Sequence, residues 1–159
     1  MTKFLLAVHV LAAVIAIGPV TVAASMFPPA VRRAQAAGPD AAALASVRLL
    51  HRICRVYAAV GLAVPVFGFA TASSLGVLSD AWLITSIVLT AAAAGVLALF
   101  VLPGQEGLLA QLDSTGTTTC APVAPRAIAR LGMLTGVFNL LWAVVTVLMI
   151  IRPGSTTGA

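Results

Sequence analysis

Phe4–Phe27, FLLAVHVLAAVIAIGPVTVAASMF, contains no charged residue. A transmembrane helix needs about 20 consecutive, mostly apolar residues, and this run supplies them. It is too long for a buried strand and lacks the polar face of a soluble helix. Three more stretches read the same way: Val56–Ser79, Ala81–Gln105 and Leu131–Ile151. The expected spans are about 4–27, 56–79, 81–102 and 131–151. The fold class is therefore all-α, an integral membrane four-helix bundle forming one domain over 1–152, with a disordered tail at 153–159.

Composition agrees. Of 159 residues, 61% are hydrophobic and 8% charged. Soluble domains carry about 25% charged residues, and disordered chains combine low hydrophobicity with high charge, so both classes are excluded. Basic residues outnumber acidic ones, 9 to 4. No basic run is interleaved with aromatics, so nucleic acid is not an expected partner. The bilayer is.

The connections differ in kind. Leu75–Asp80 is a short turn, which predicts that spans two and three are antiparallel neighbours. The first loop is expected from Pro28 to about Ala42, with Asp40 capping a helix that runs from Ala41 through Arg55 into the second span. The third loop is expected from Pro103 to Pro125, with two helical turns over Glu106–Asp113 and a flexible Ser114–Thr119. Arg32, Arg33, Arg48, Arg52, Arg55, Arg126 and Arg130 flank these two loops, which face one side. Lys3 and Arg152 flank the other. Positive charge is retained on the cytoplasmic side, so both termini are expected outside.

Two alternatives touch the organisation. Lys3, the apolar run and Val22-Ala23-Ala24 before Ser25 have the outline of a signal peptide. The run is longer than a usual signal core and contains Gly18 and Pro19, so retention is expected. Each long loop follows an odd span, begins at a proline and ends in an arginine pair four apart, Arg48/Arg52 and Arg126/Arg130. This suggests a two-plus-two hairpin duplication.

Packing is expected from small residues at spacing four: Ala12 and Ala16 in the first span, Gly132 and Gly136 in the fourth. A homodimer seam along Gly132 and Gly136 is the alternative use. Pro65, flanked by Gly61 and Gly68, should kink the second span, and Gly18-Pro19 the first. Trp82 and Tyr57 sit at the two interfaces, and Trp142 is expected inside the bundle.

His9 is the most suggestive side chain for chemistry, because an ionisable group at that depth is costly unless paired. It reads either as a haem or metal ligand, as a proton-handling group, or as a neutral histidine bonded to a neighbouring helix. His51 precedes the apolar part of the second span, so it lies too far away to share an iron with His9. Met133 and Met149 are the other candidate axial ligands. Arg48, Arg52 and Arg55 share one helix face. With Arg126 and Arg130 they form an expected surface for anionic lipid or an acidic partner, which Glu106 and Asp113 could answer. Asn139, with Thr71, Thr85, Ser86 and Thr90, is read as interhelical hydrogen bonding or as a polar path.

Cys54 lies beside Arg52 and Arg55, 66 positions from Cys120, so neither a zinc pattern nor a CxxC pair exists. No phosphate loop, HExxH or nucleophile elbow occurs, and with four acids paired-carboxylate chemistry lacks material. No catalytic residue and no metal site is nominated, and the reading leans away from an enzyme.

The opening KFLLAVHVLAA, with His9 inside it and Gly18 after it, resembles a family of small bacterial integral-membrane proteins of unknown function. Its members carry a histidine early in the first of four spans. More distantly the chain is similar to copper-resistance D-like membrane domains and to the four-helix protoporphyrinogen oxidases that carry haem. That likeness implies a redox or metal role for His9, with haem as cofactor. The chain departs from it in having no suitably placed second intramembrane histidine or lysine. The alanine-rich, arginine-over-lysine composition resembles high-GC bacteria. Three functions are expected: a non-enzymatic structural, accessory or partner-binding membrane protein; a haem- or metal-linked redox protein centred on His9; or a small-solute channel or transporter subunit. Partners would be a membrane protein or a second copy of the chain.

Overall fold

The computed structural model of the chain describes residues 2–38, 40–115 and 123–154, and among them every regular element is helical. Four helical rods, Lys3–Ala37, Ala41–Leu75, Ala81–Ser114 and Pro125–Ile151, are long and apolar enough to cross a membrane. The first rod is α1 (Thr2–Ala37). The second comprises α2 (Ala41–Val60) and α3 (Ala63–Leu75). The third comprises α4 (Ala81–Val96), a π turn at Leu97–Val101 and α5 (Leu102–Thr115), and the fourth is α6 (Pro125–Ile151).

The first rod corrects the expected first loop. The helix does not stop at Pro28 but runs through Pro28 and Pro29 to Ala37. Two prolines withdraw two backbone donors from the ladder. The apolar stripe nevertheless continues through them, with Phe27, Val31 and Ala34 buried at i, i+4, i+7. Pro28 itself is buried, and a Cβ on Gly132 of α6 would lie 3.9 Å from its ring. Burial of that stripe outweighs the lost bonds. The loop shrinks to a turn at Gly38–Asp40, in which Gly38 takes φ +71°, a conformation that favours glycine. Asp40 caps α2 as expected, accepting from the Ala42 N–H at 2.9 Å.

The kink in the second rod falls one turn before Pro65. Gly61 O lies where the proline has no N–H to offer it, so it accepts from Val64 N at 3.1 Å, and the helix re-forms at Ala63. Gly18 and Pro19 produce no comparable break, because α1 is continuous across them. The third rod corrects the third loop. Pro103 is expected to open it, yet the helix passes through to Thr115, so Glu106–Asp113 is part of a long helix and not two isolated turns. The local adjustment is the π turn, where Leu102 N–H reaches back to Leu97 O. Residues 116–119 of the expected flexible stretch, Cys120, and residues 155–159 of the expected tail lie outside the described residues.

The rods pack as two hairpins, α1 against α2 and α3, and α4 against α6, with α1 also on α6 and α2 on α5. The expected neighbours, spans two and three, meet little beyond their turn, where Ala72, Val77, Trp82 and Leu83 cluster. The main core lies at the arginine-bearing end. It is built from Val20, Phe27 and Val31 of α1, Val47 and Cys54 of α2, Leu97 and Leu108 of the third rod and Phe138 of α6. The other end is packed by the Trp82 and Leu83 cluster, by Val145 and by smaller or polar residues, among them Ala16, Thr71 and Ser86.

Replacing Asp40 by alanine should lower unfolding stability by about 0.5–2 kcal/mol, while Asp40→Asn retains most of it. Denaturant titration in detergent micelles, read by circular dichroism, measures both.

Candidate functional site

Three side-chain groups stand out, and His9 anchors the first. It is 8% exposed, and its Nδ1 lies 2.9 Å from the Val64 carbonyl of α3. A carbonyl only accepts, so Nδ1 carries the hydrogen and donates it, which leaves the Nε2 lone pair free in the neutral ring. The ring sits against Gly68, where a Cβ would come within 2.9 Å of His9 Cε1. Glycine is required there because only a bare backbone lets the imidazole approach. By helix count Val64 stands ~13 Å from Arg55 and ~16 Å from Leu75. The bond therefore lies near the middle of the second apolar run, deeper than the position of His9 in α1 suggests.

The second group lies in the core of the arginine-bearing end. His51 is buried and its Nδ1 pairs with Gln105 Oε1 at 3.0 Å, so this ring nitrogen also donates. Its Nε2 stands 3.6 Å from Glu106 Oε1. Gln105 is fully buried, and its amide points at Cys54 Sγ, 3.5 Å away. Sequence reasoning missed Gln105. The one available signal is a neutral polar residue closing the uncharged run from Ala81. Cys54 is not beside the arginines in space: it is fully buried, whereas Arg52 and Arg55 point outward.

The arginines form the third group. Arg48 meets Asp113 at 2.7 Å on the surface, one of the pairings the charge spacing predicts. Glu106 turns to His51 instead. Arg32, Arg33, Arg52, Arg55, Arg126 and Arg130 are exposed and have no acidic partner among the described residues. An exposed ion pair such as Arg48–Asp113 contributes little stability.

The packing residues divide. Ala16 is fully buried and Ala12 half-buried. Gly132 meets Pro28, while Gly136 is exposed and faces open space. Asn139 donates from Nδ2 to Ser25 Oγ of α1 at 3.1 Å, an interhelical bond as expected. Thr71, Thr85 and Ser86 do not reach across helices. Each bonds the carbonyl four residues earlier in its own helix, which occupies these three of the four hydroxyl donors expected along a polar path. Trp82 is buried, with its N–H on Asp80 and its ring 5.7 Å from the Arg152 guanidinium. Trp142 is half-buried, edge-on to Phe138. An apolar groove of about 480 Å³ lies between α1 and α2, lined by residues such as Gly18, Pro19, Met26 and Ile53, and offers no polar contact. No cluster of three or more histidine, cysteine or acidic side chains suited to a metal occurs among the described residues.

No protein-family model, curated protein or solved structure matches the chain. The likeness carried by the Lys3–Ala13 stretch and Gly18, and loosely by the arginine-rich entry to the second span, therefore has no matched relative behind it.

Gly68→Ala should destabilise the fold and His9→Ala should do so too. The double variant should lose less than the two losses summed, because removing the ring removes the clash. Thermal unfolding of the four proteins in one detergent completes this cycle.

Proposed function

We propose that the chain is a non-enzymatic accessory protein of a bacterial cytoplasmic membrane. Both termini lie outside, and the arginine-bearing end grips acidic groups at the inner leaflet. The observation that carries this reading is the set of six exposed arginines without acidic partners, displayed on helices that a packed core holds in place. The depth of these residues favours lipid headgroups as the acidic groups. By helical rise Arg55 to Arg48 lie within ~12 Å of the start of the second apolar run, and Arg126 and Arg130 within ~8 Å of the start of the fourth. A headgroup layer occupies about 5–8 Å on each side of the hydrocarbon. Each basic side chain near an anionic surface contributes about 1 kcal/mol, and salt weakens it. The two hairpins, each entering its second rod behind an arginine pair, are consistent with a two-plus-two duplication.

A haem at His9 fits less well. The Nδ1–H bond to a backbone carbonyl is the arrangement that holds many ligating histidines, and this supports the alternative. Yet the ring is wedged against Gly68, Met133 points outward at 65% exposure, Met149 is half-buried with no hydrogen bond to His9, and no second histidine approaches. These residues form a clasp between helices and do not furnish a haem pocket. A solute path is supported less still, since Thr71, Thr85 and Ser86 are bonded within their own helices.

Phosphatidylglycerol should raise the melting temperature in mixed micelles more than phosphatidylcholine does. Arg126→Gln/Arg130→Gln and Arg52→Gln/Arg55→Gln should each reduce the difference, as should added salt. Equal stabilisation by the two lipids would overturn the reading. The purified protein from a haem-replete host should show no Soret band, oxidised or dithionite-reduced; a band lost in His9→Ala would make His9 a haem ligand instead.

A further inference from the structure

Six hydroxyl side chains in these helices, Ser46, Thr71, Ser74, Thr85, Ser86 and Thr146, each donate to the carbonyl four residues earlier, at 2.7–3.0 Å. Thr135 differs from them. It is 2% exposed, and its Oγ1 has no partner. Two further buried atoms are unpaired, Asn139 Oδ1 and Trp142 Nε1. All three lie on α6 at i, i+4, i+7, which is one stripe of one helix. Buried polar atoms without partners are uncommon, and each calls for a cause, with water among the usual ones.

The stripe faces the seam between α1, where Asn139 Nδ2 donates to Ser25 Oγ at 3.1 Å, and the third rod. The antiparallel register of the third rod against α6 is set at one end by Arg152 over the Trp82 ring, and at the other by Leu131 against Gly104, where a Cβ would lie 3.1 Å from Leu131 Cδ1. Counting between these points brings Thr135 level with the π turn Leu97–Val101, and Trp142 level with Ala93. The π turn is itself a source of unsatisfied backbone, because Pro103 has no N–H and one carbonyl of that turn loses its helical donor. The third rod is also low there. Ala93 is fully buried yet carries only a methyl group. No charged residue interrupts the stripe. Arg130 and Arg152 stand at the two ends of α6.

The geometry points to a buried hydration site: ordered water held along Thr135, Asn139 and Trp142, beneath the π turn of the third rod. The three atoms ask for one molecule type. Trp142 offers a donor, Asn139 Oδ1 an acceptor and Thr135 both, and water supplies the complement of each. A buried water typically makes about three hydrogen bonds to groups otherwise left unsatisfied. An ion does not suit an uncharged stripe between apolar helices. The site is separate from the arginine face and does not depend on it.

Nuclear magnetic resonance of the full chain carrying Trp82→Phe, labelled at the indole nitrogen, tests this in micelles. The substitution keeps an aromatic ring beneath Arg152 and leaves Trp142 as the sole indole. The expected result is a cross-peak between the Trp142 N–H and water that is lost or weakened in Asn139→Leu. Thr135→Val should also lower the melting temperature, since the water loses a partner, whereas Asn139→Leu also removes the bond to Ser25 and is read by the cross-peak alone. If Trp82→Phe does not fold, the unmodified protein serves, with its Trp142 signal assigned by loss in Trp142→Phe. Absence of the cross-peak, or a melting temperature unchanged or raised in Thr135→Val, would show the three atoms to be dry and overturn the proposal. So would a cross-peak indifferent to both Thr135→Val and Asn139→Leu.

Discussion

A backbone carbonyl inside an apolar medium cannot turn to water, so every proline in these helices creates a debt that a neighbour must settle. The chain places prolines inside three of its four rods, and the architecture is arranged around them. Pro65 breaks the second rod at Gly61–Leu62, and the rebuilt turn of α3 presents the Val64 carbonyl to His9. Pro28 and Pro29 stay within α1 because the stripe from Phe27 to Ala34 is buried against the other helices. Pro103 accompanies a π turn level with the stripe of α6 on which Thr135 Oγ1, Asn139 Oδ1 and Trp142 Nε1 have no partner. The features that look like chemistry, a buried histidine and an unpaired polar stripe, both stand beside a disturbed backbone.

This arrangement divides the molecule along its length. At the arginine-bearing end, large apolar side chains fill the core and a fully buried Gln105 ties α2 to α5 through His51. At the other end, packing depends on close approach at Gly68 and Ala16 and on the single bond from His9. Interhelical hydrogen bonds of this kind contribute roughly 0.6–2 kcal/mol in lipid. The unpaired positive charge at the arginine-bearing end supports the proposed binding of acidic groups.

Much of the fold is legible in the sequence, because hydrophobic length and capping are local signals. The four rods, the Asp40 cap and the Arg48–Asp113 pairing all follow from spacing along the chain. Both long loops were expected too early because a proline reads locally as a helix end. Whether it ends one depends on the stripe on either side, and Phe27, Val31 and Ala34 decide that by packing against distant residues. The partner of His9 lies on another rod, and no periodicity reports it. Gln105 was hidden for the same reason, as a neutral residue whose burial depends on α2. The hydroxyls of Thr85 and Ser86 are polar in any reading, but only helical geometry shows that their own carbonyls satisfy them.

The account stands on the arginine-bearing end facing the cytoplasm. In a background with Cys54→Ala and Cys120→Ser, single Ser79→Cys and Ala37→Cys variants can be treated in intact cells with a membrane-impermeant maleimide, Ala37 being at the exposed end of α1. The account predicts labelling of Ser79→Cys in intact cells, and of Ala37→Cys only after lysis. The opposite pattern would put the arginines outside and contradict both the orientation and the proposed grip on the inner leaflet.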